Sequence, residues 1–195
     1  MSLSDQPNLS GSTEESAQPR VSSVVGQVLR FLTTEVLDTI LPAFVIALLI
    51  NLFLAQGTYV HGQSMEPNLH TDQRLIIEKV SYRLHGPRRG DIVVIRLEQY
   101  EIPLIKRVVG MPGETVEIRD SRLYIDGELL AEGYLPGTVQ RNYGPVLVPP
   151  LHVFLMGDNR NASNDSRSFG AVHVSQIVGR AWLSYWPLEE VRLFE

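Results

Sequence analysis

The chain of 195 residues contains no cysteine. This absence excludes a thiol nucleophile, a thiolate metal site and any disulfide bond. The five histidines are scattered, and none has the spacing of a metal-ligating motif such as His-Glu-x-x-His. The sequence therefore predicts neither a bound metal nor a cofactor.

Basic residues are in the minority. Lys and Arg number 17 against 22 Asp and Glu, which gives a formal net charge of −5, and the basic residues form no run or stripe. Proteins that bind nucleic acid usually carry a basic patch, so nucleic acid is not expected as a partner. Apolar residues make up 44% of the chain, enough for the packed core of one domain.

A long hydrophobic run covers residues 39–55 and contains no charged residue. With the apolar residues just before it, the run has about the length that a helix needs to cross a bilayer. Pro42 lies inside the run and is expected to kink the helix or to start its regular part. We predict a transmembrane anchor region over residues 25–56, preceded by a disordered tail over the polar residues 1–24.

Two other interpretations of the run are weaker. A buried helix of a soluble protein would show a polar face, and this run shows none. A cleaved signal peptide is the other alternative, because Ala55-Gln56-Gly57 offers small residues at a suitable spacing. The apolar part of a signal peptide is ordinarily about 7–15 residues long, shorter than this run. A permanent anchor in membrane lipid is therefore favoured.

The distribution of basic residues predicts the orientation of this anchor. Arg20 and Arg30 precede the run, and the first basic residue after it is Arg74. Positive charge is retained on the cytoplasmic side. We therefore expect a single-pass protein of the cell membrane, with a cytoplasmic N-terminus and an extracytoplasmic domain over residues 57–195.

Beyond the run, the chain changes to short segments rich in Val, Ile and Leu that are separated by turn signals. Asp126-Gly127 fits a tight two-residue hairpin turn, and no amphipathic helix is expected after residue 60. We predict a mainly β, antiparallel domain of barrel or coiled-sheet type. Its strands are expected at residues 74–80, 91–97, 104–109, 115–118, 123–125, 152–156 and 177–186, with an extended arm or long loop over residues 132–150.

Ser64 is the first candidate for chemistry. It lies in the segment GQSMEPNL, residues 62–69, shortly after the hydrophobic run. Its position between a glycine and a proline suggests a fixed, irregular backbone that can expose the hydroxyl and direct its N–H at a developing oxyanion. Glu66 replaces the second glycine of a G-x-S-x-G elbow. Taken alone, such a serine is more often a turn residue.

Lys106 is the second candidate. Alternate side chains of a strand share a face, which would place Lys106 with Leu104 and Val108. Desolvation among apolar groups lowers the pKa of a lysine. A general base needs this change, because a lysine with a pKa of about 10.4 is only ~0.1% neutral near pH 7.4. On spacing alone, a lysine that snorkels from the sheet is the simpler interpretation.

The third candidate is the polar segment MGDNRNASNDSRS, residues 156–168, which follows a predicted strand. Asp165 and Arg167 are close enough to form an ion pair that rigidifies the segment. An EF-hand is excluded, because no glycine stands at its sixth position and no glutamate at its twelfth. The segment is either a solvated loop or a functional one, and its density of Asp, Asn, Arg and Ser is typical of the latter.

These three segments, in this order behind one anchor, resemble the type I signal peptidases over roughly residues 58–185. In that family a Ser-Met-x-Pro segment carries the nucleophile, and a Lys-Arg-Val-x-Gly-x-Pro-Gly segment carries the base. A Gly-Asp-Asn-Arg…Ser-x-Asp-Ser-Arg segment closes the site. The resemblance implies the signal-peptidase fold, which LexA-like repressors share in related form.

The resemblance also implies the chemistry. Ser64 matches the nucleophile and Lys106 the general base of a serine endopeptidase that works through an acyl-enzyme. The expected substrates are secretory preproteins, cut after Ala-x-Ala-like sites to remove their signal peptides. Among the supporting residues, Ser163 matches the serine that orients the lysine. The others match an ion pair and a structural arginine, and they are Asp165, Arg167 and Arg107.

Further residues are expected at the substrate. The resemblance places four apolar side chains in pockets that admit only small residues before the cut: Val60, Met65, Leu69 and Ile105. Gly62 stands where many members carry a hydroxyl residue as second oxyanion donor, so a backbone N–H is expected to supply that donor here. Asn161 stands where Asp is frequent, at a position without a catalytic role.

Two competing functions remain at this point. A membrane-tethered β-domain could bind a partner through its polar loop without catalysis. A self-cleaving peptidase like the LexA-like repressors would need a DNA-binding N-terminus and no anchor, the reverse of this chain. The segment AWLSYWP, residues 181–187, is similar to cyanobacterial and plastid members, which makes the thylakoid an alternative membrane.

Overall fold

The structure is a computed structural model that describes residues 21–49, 54–135 and 141–194. It divides into two compact units, Met1–Ile46 and Ala47–Glu195. The predicted disordered tail lies outside the described residues except for its last four positions, which are helical.

The N-terminal segment is helical. Helix α1 covers Val21–Glu35, a π-helical turn covers Val36–Ile40, and helix α2 covers Leu41–Leu49. Pro42 is the second residue of α2 and directly follows the π-helical turn. The helix is continuous through this point, and its hydrogen bonding changes from π-helical to α-helical beside the proline, which lacks an N–H. The stretch Gly26–Leu49 is long and apolar enough to cross a membrane.

The second unit is built from two antiparallel sheets. The larger has the strand order β1-β2-β11-β3-β4-β9-β10, with β12 added on β11. Its strands are β1 Ala55–Tyr59, β2 Arg74–Glu78, β3 Ile92–Ile95, β4 Leu104–Gly110, β9 His152–Met156, β10 Val172–His173, β11 Ile177–Trp186 and β12 Arg192–Leu193. The prediction of an antiparallel, mainly β domain is confirmed.

The smaller sheet has the order β7-β6-β5-β8. Its strands are β5 Thr115–Arg119, β6 Arg122–Ile125, β7 Glu128–Leu129 and β8 Tyr143–Leu147. Asp126 and Gly127 both have positive φ and join β6 to β7 in two residues, so the predicted hairpin turn forms.

One sequence prediction needs correction. Residues 132–150 do not form an arm throughout, because β8 pairs with β5 from Thr115 to Ile118. Gly144 and Pro145 lie inside β8, which is an edge strand of its sheet. Proline is tolerated in such a strand because its missing N–H need not face a partner. The glycine and proline content thus concealed a strand.

Helical structure in the second unit is limited, within the described residues, to single turns. These are α3 Ser81–Leu84, α4 Ser166–Phe169 and two 3₁₀ turns, Val174–Gln176 and Leu188–Glu190. This agrees with the expectation of no amphipathic helix after residue 60.

Strand β3 shows how the core is organised. Ile92 and Val94 join one apolar cluster, and Val93 and Ile95 join another on the opposite face. A strand that is apolar at every position must be covered on both faces. Strand β4 pairs with β3 on one side and with β9 on the other, so its residues lie at the centre of the domain.

Candidate active site

Ser64 lies in the loop between β1 and β2. The loop turns tightly, because Leu69 N–H donates to Met65 O at 2.9 Å and Asn68 N–H donates to the same carbonyl at 3.0 Å. Met65 and Leu69 are buried in the apolar cluster under β2 and β3. Gly62 has a φ of +75°, a conformation that favours glycine. Buried anchors on one side of Ser64 and this glycine on the other hold the predicted irregular backbone.

Lys106 lies in the middle of β4, opposite Val93 of β3. Only 3% of the residue is exposed. Its Nζ lies 2.9 Å from Ser64 Oγ and donates to the Ile105 carbonyl at 2.8 Å. The structure therefore brings together the two residues that the sequence proposed as nucleophile and base, although 42 positions separate them.

Burial changes the acidity of this lysine. Desolvation lowers the pKa of Lys106 to about 8, and the more distant Asp165 and Asp158 oppose this only in part. A pKa of 8 leaves ~20% of the side chain neutral near pH 7.4, against ~0.1% for a free lysine. The desolvation expected from the strand pattern is present, and a neutral amine beside a hydroxyl can accept its proton.

The polar segment after β9 closes around this pair. Asn159 N–H donates to the Ser64 carbonyl at 3.0 Å. Gly157 N–H donates to Asp165 Oδ2 at 3.0 Å. A side chain on Gly157 would overlap the Ser64 carbonyl and the Ser163 hydroxyl. Close approach of three backbone segments therefore requires glycine here.

Asp165 and Arg167 form the predicted ion pair. Arg167 donates through Nε and Nη2 to the two carboxylate oxygens of Asp165, each at 2.8 Å. Burial opposes the charge of Asp165, but the bonds from Arg167 and Gly157 lower its pKa below the usual range. The carboxylate also caps the first turn of α4 by accepting from Arg167 N–H. The pair thus shapes the loop that covers Ser64.

Arg107 has a second bidentate pair. It donates to Asp158 at 2.8 and 2.6 Å and to the Gly90 carbonyl at 2.9 Å. Its guanidinium also stacks 4.1 Å from the ring centroid of Tyr134. These contacts fit the structural role predicted for Arg107, since they tie β4 to the polar segment.

The expected contact of Ser163 with Lys106 does not form. Within the described residues, the buried Ser163 hydroxyl has no hydrogen bond of acceptable geometry, although it lies close enough to Asp165 to help lower the pKa of that carboxyl. Lys106 is oriented by Ser64 and by its own strand instead. The hydroxyl packs beside Gly157.

Comparison with known proteins supports the family resemblance seen in the sequence. Residues 33–186 match the family described as signal peptidase, peptidase S26. The chain belongs to this family. It is therefore a hydrolase of the serine protease class, as the sequence resemblance implied.

Named relatives are similar over most of the chain. A probable signal peptidase I-2 from Synechocystis sp. is 39% identical over 82% of this chain and 76% of its own. A signal peptidase I from Leptolyngbya laminosa is 41% identical over 80% and 81%, and signal peptidase I T of Bacillus subtilis is 40% identical over 78% and 85%. A solved signal peptidase I from Enterococcus faecalis is 33% identical, covers 49% of this chain and 97% of its own, and has a TM-score of 0.45.

Residues expected to line the substrate pockets of this peptidase lie together. Four of them, Val60, Met65, Leu69 and Ile105, pack in one cluster beneath the Ser64 loop. Each is at most 8% exposed. They are core residues, and Ile105 is the most exposed of the four.

The oxyanion position can be described from the backbone. Within the described residues, Ser64 N–H makes no hydrogen bond, so it is free to donate to a developing oxyanion. Gly62 is exposed, and a Cβ added to it would meet no atom within 4 Å, so it offers no hydroxyl and little steric restriction. The sequence predicts this N–H as the first oxyanion donor.

Sequence reasoning missed a second group of buried polar residues. Arg160 donates to both carboxylate oxygens of Glu132 and to the Gly157 carbonyl. Asn68 donates to Asp158 and to the Tyr134 carbonyl, each at 2.9 Å. Asp158 and Arg160 stand in the polar segment and could have been suspected there. Glu132 and Tyr134 lie in the predicted arm, where no pattern distinguished them.

Proposed function

We propose that the chain removes signal peptides from exported preproteins as a membrane-anchored endopeptidase with a Ser64/Lys106 dyad. The observation that carries this proposal is the 2.9 Å contact between Ser64 Oγ and a Lys106 Nζ that burial keeps at a pKa of about 8. Family membership supports the reaction class, and the relatives are named signal peptidases.

The mechanism follows from the two side chains. Neutral Lys106 accepts the Ser64 proton as Oγ attacks the scissile carbonyl, and the free Ser64 N–H stabilises the oxyanion. Collapse of this intermediate forms an acyl-enzyme on Ser64 and releases the mature protein, whose new amine takes the proton from Lys106. Water, activated by the same lysine, then hydrolyses the acyl-enzyme and restores both groups.

Substrate choice follows from the buried cluster beneath Ser64. The cluster is apolar and almost fully buried, so a substrate side chain that packs against it must be small, because a larger one would overpack it. This supports cleavage after Ala-x-Ala-like sites.

The anchor contributes proximity. A helix over Gly26–Leu49 that crosses the membrane once would leave the catalytic domain outside the cytoplasm, where signal peptides emerge. We propose the cell membrane as the location. The thylakoid membrane is the alternative, favoured by the similarity to cyanobacterial relatives, and membrane fractionation distinguishes the two.

The test uses the full chain in detergent with a preprotein that carries an Ala-x-Ala site. We expect wild-type protein to cleave at that site, and Ser64→Ala and Lys106→Ala to be inactive. Matched controls are Ser175→Ala, at an exposed 3₁₀ turn, and Lys79→Ala. Lys79 and Lys106 are the two lysines of the chain, so this control removes the same side chain elsewhere.

Each outcome has a definite meaning. Equal cleavage by all five proteins would indicate a contaminating protease. Cleavage that survives Lys106→Ala alone would refute the dyad but keep the serine nucleophile. Absence of cleavage in folded wild-type protein would favour the competing function, a tethered domain that only binds a partner.

A further inference from the structure

A cavity lies beside the polar segment, residues 156–168. Its volume is about 450 Å³, and it is bounded by β8, by the polar segment and by α4. Three arginines contribute to its wall, Arg141, Arg160 and Arg167, together with Ser163 and Ser168. None of the described residues that line it is acidic. The cavity is therefore polar and rich in hydrogen-bond donors.

The three arginines differ in how many of their guanidinium nitrogens remain available to bind a ligand. Arg160 uses Nε, Nη1 and Nη2 on Gly157 and Glu132. Arg167 uses Nε and Nη2 on Asp165, which leaves Nη1. Arg141 is exposed and, within the described part of the chain, has no carboxylate partner.

The charge of the cavity selects its ligand. Glu132 and Asp165 neutralise two of the three guanidinium groups, so one positive charge remains, at Arg141. A single carboxylate matches that charge, and a guanidinium binds carboxylates with two parallel hydrogen bonds. A dianion such as a phosphate monoester would stay half-compensated.

The cavity adjoins the reaction centre through Ser163. A Cβ added to Gly157 would overlap both the Ser163 hydroxyl and the Ser64 carbonyl, so both groups lie on the same side of Gly157. The apolar cluster that we assign to residues before the cut, with Met65 and Leu69, does not line the cavity. Because residues before the cut are assigned to that cluster, we expect the cavity to receive residues of the substrate that follow the cut.

We propose that this cavity binds an acidic side chain of the preprotein, located within the first residues after the scissile bond, with Arg141 as its charge partner. The proposal rests on the proposed function, because it treats the ligand as part of the cleaved chain. It adds a preference for Glu or Asp on the mature side of the cut to the preference for small residues before it.

Paired substrates test this preference. Each pair carries the same Ala-x-Ala site and differs by Glu or Gln at one of the four positions after the cut, a span of roughly 13 Å when extended. We expect kcat/KM to be about fivefold higher for Glu at one of these positions, through a lower KM. The advantage should shrink in 0.5 M salt, because screening weakens exposed charge pairs.

Variants assign the effect to Arg141. Arg141→Gln should abolish the Glu preference while cleaving the Gln substrates at the wild-type rate. Arg141→Glu should reverse the preference towards a Lys substrate at the same position. The matched control is Arg122→Gln, an exposed arginine of β6 that does not line the cavity, and it should keep the wild-type preference.

Several results would overturn the proposal. Equal rates for Glu and Gln at all four positions would do so, as would a preference that persists in Arg141→Gln. Loss of the Gln substrates in Arg141→Gln would give this residue a structural role instead. These results leave the proposed function intact, since wild-type protein still cleaves the Gln substrates. Failure to cleave any substrate would overturn both proposals together.

Discussion

Lys106 and Arg160 are buried to the same degree, 3% and 4% exposed, but their surroundings produce opposite results. Burial lowers the pKa of Lys106 to about 8. Burial also opposes the charge of Arg160, but the paired Glu132 carboxylate outweighs it and raises the pKa. Depth alone therefore does not decide the charge of a buried cation, and the presence of a direct carboxylate partner does.

The surroundings of Lys106 contain carboxylates as well, and the difference lies in their partners. Asp165 and Asp158 both raise the pKa of Lys106. Each is held by an arginine in a bidentate pair, Asp165 by Arg167 and Asp158 by Arg107. These arginines offset the negative charge that would otherwise keep Lys106 protonated. We infer that the pairs Asp165–Arg167 and Asp158–Arg107 help to keep Lys106 neutral and also shape the polar segment.

The largest effect is expected when Lys106 is made to resemble Arg160. In Lys106→Arg the guanidinium stays protonated at any working pH and cannot accept the Ser64 proton. We expect at least a ~10³-fold loss of cleavage rate in folded protein. Lys79→Arg is the matched control and should be fully active. A Lys106→Arg protein within tenfold of the wild type would refute the role of base.

A smaller loss of activity is expected from a substitution at Gly157, which lies between the surroundings of Lys106 and those of Arg160. Gly157 donates its N–H to Asp165 and accepts from Arg160 with its carbonyl. In Gly157→Ala the added methyl would overlap the Ser64 carbonyl and displace the nucleophile. We expect an activity loss of about 10²-fold, because small misplacements are costly in catalysis. Gly133→Ala, with open space at the same point, is the control and should be unaffected.

A matched pair of variants compares the ion pair Asp165–Arg167, near Lys106, with the ion pair Glu132–Arg160. Arg167→Met leaves Asp165 without its partner, so the pKa of Lys106 should rise. Cleavage needs neutral Lys106 and increases with pH through its pKa, so the midpoint near pH 8 in the wild type should move to higher pH. Glu132→Gln should leave that midpoint unchanged, because Glu132 does not act on Lys106.

Both variants should cost stability, about 3 kcal/mol, because each leaves one buried charge unpaired. The measurements are a pH profile of kcat/KM and thermal unfolding of each protein. Equal shifts of the pH midpoint in the two variants would contradict the view that only the Asp165–Arg167 pair controls the pKa of Lys106.

The last expected effect concerns stability alone. The pKa of Lys106 falls from 10.5 to about 8 on folding, so the unfolded state binds more protons between these values. Stability of the wild type should therefore rise with pH through this window. In Lys106→Met that penalty is absent, and we expect a gain of about 3 kcal/mol at pH 7 that has largely disappeared by pH 10.5. Thermal unfolding at both pH values, with Lys79→Met as control, measures it. A gain independent of pH would show that packing, and not charge, is responsible.

Much of the fold was predictable because its signals are local. Strands such as His152–Met156 and Ile177–Trp186 consist of β-branched and apolar residues between turn signals, and they form with the expected bounds. Strand β8 was missed because Gly144 and Pro145 lie within it, and an edge strand tolerates both.

The candidate site was predictable in its main residues and not in its surroundings. Ser64, Lys106 and Asp165 stand in segments that resemble a known family. Glu132 and Tyr134 stand in no such segment, and their roles depend on contacts with Arg160 and Arg107 that join parts of the chain distant in sequence. No periodicity or turn rule reports a contact at that separation.

The sequence by itself determined the strand segments, the apolar helix and the residue types available for chemistry, because these depend on neighbours along the chain. Only the tertiary structure decided that Ser64 Oγ meets Lys106 Nζ, that this lysine is desolvated and that Ser163 is not its partner. Hydrogen bonds and desolvation depend on distances through space, and these distances exist only once β4 is covered by the loop of Ser64 and the polar segment.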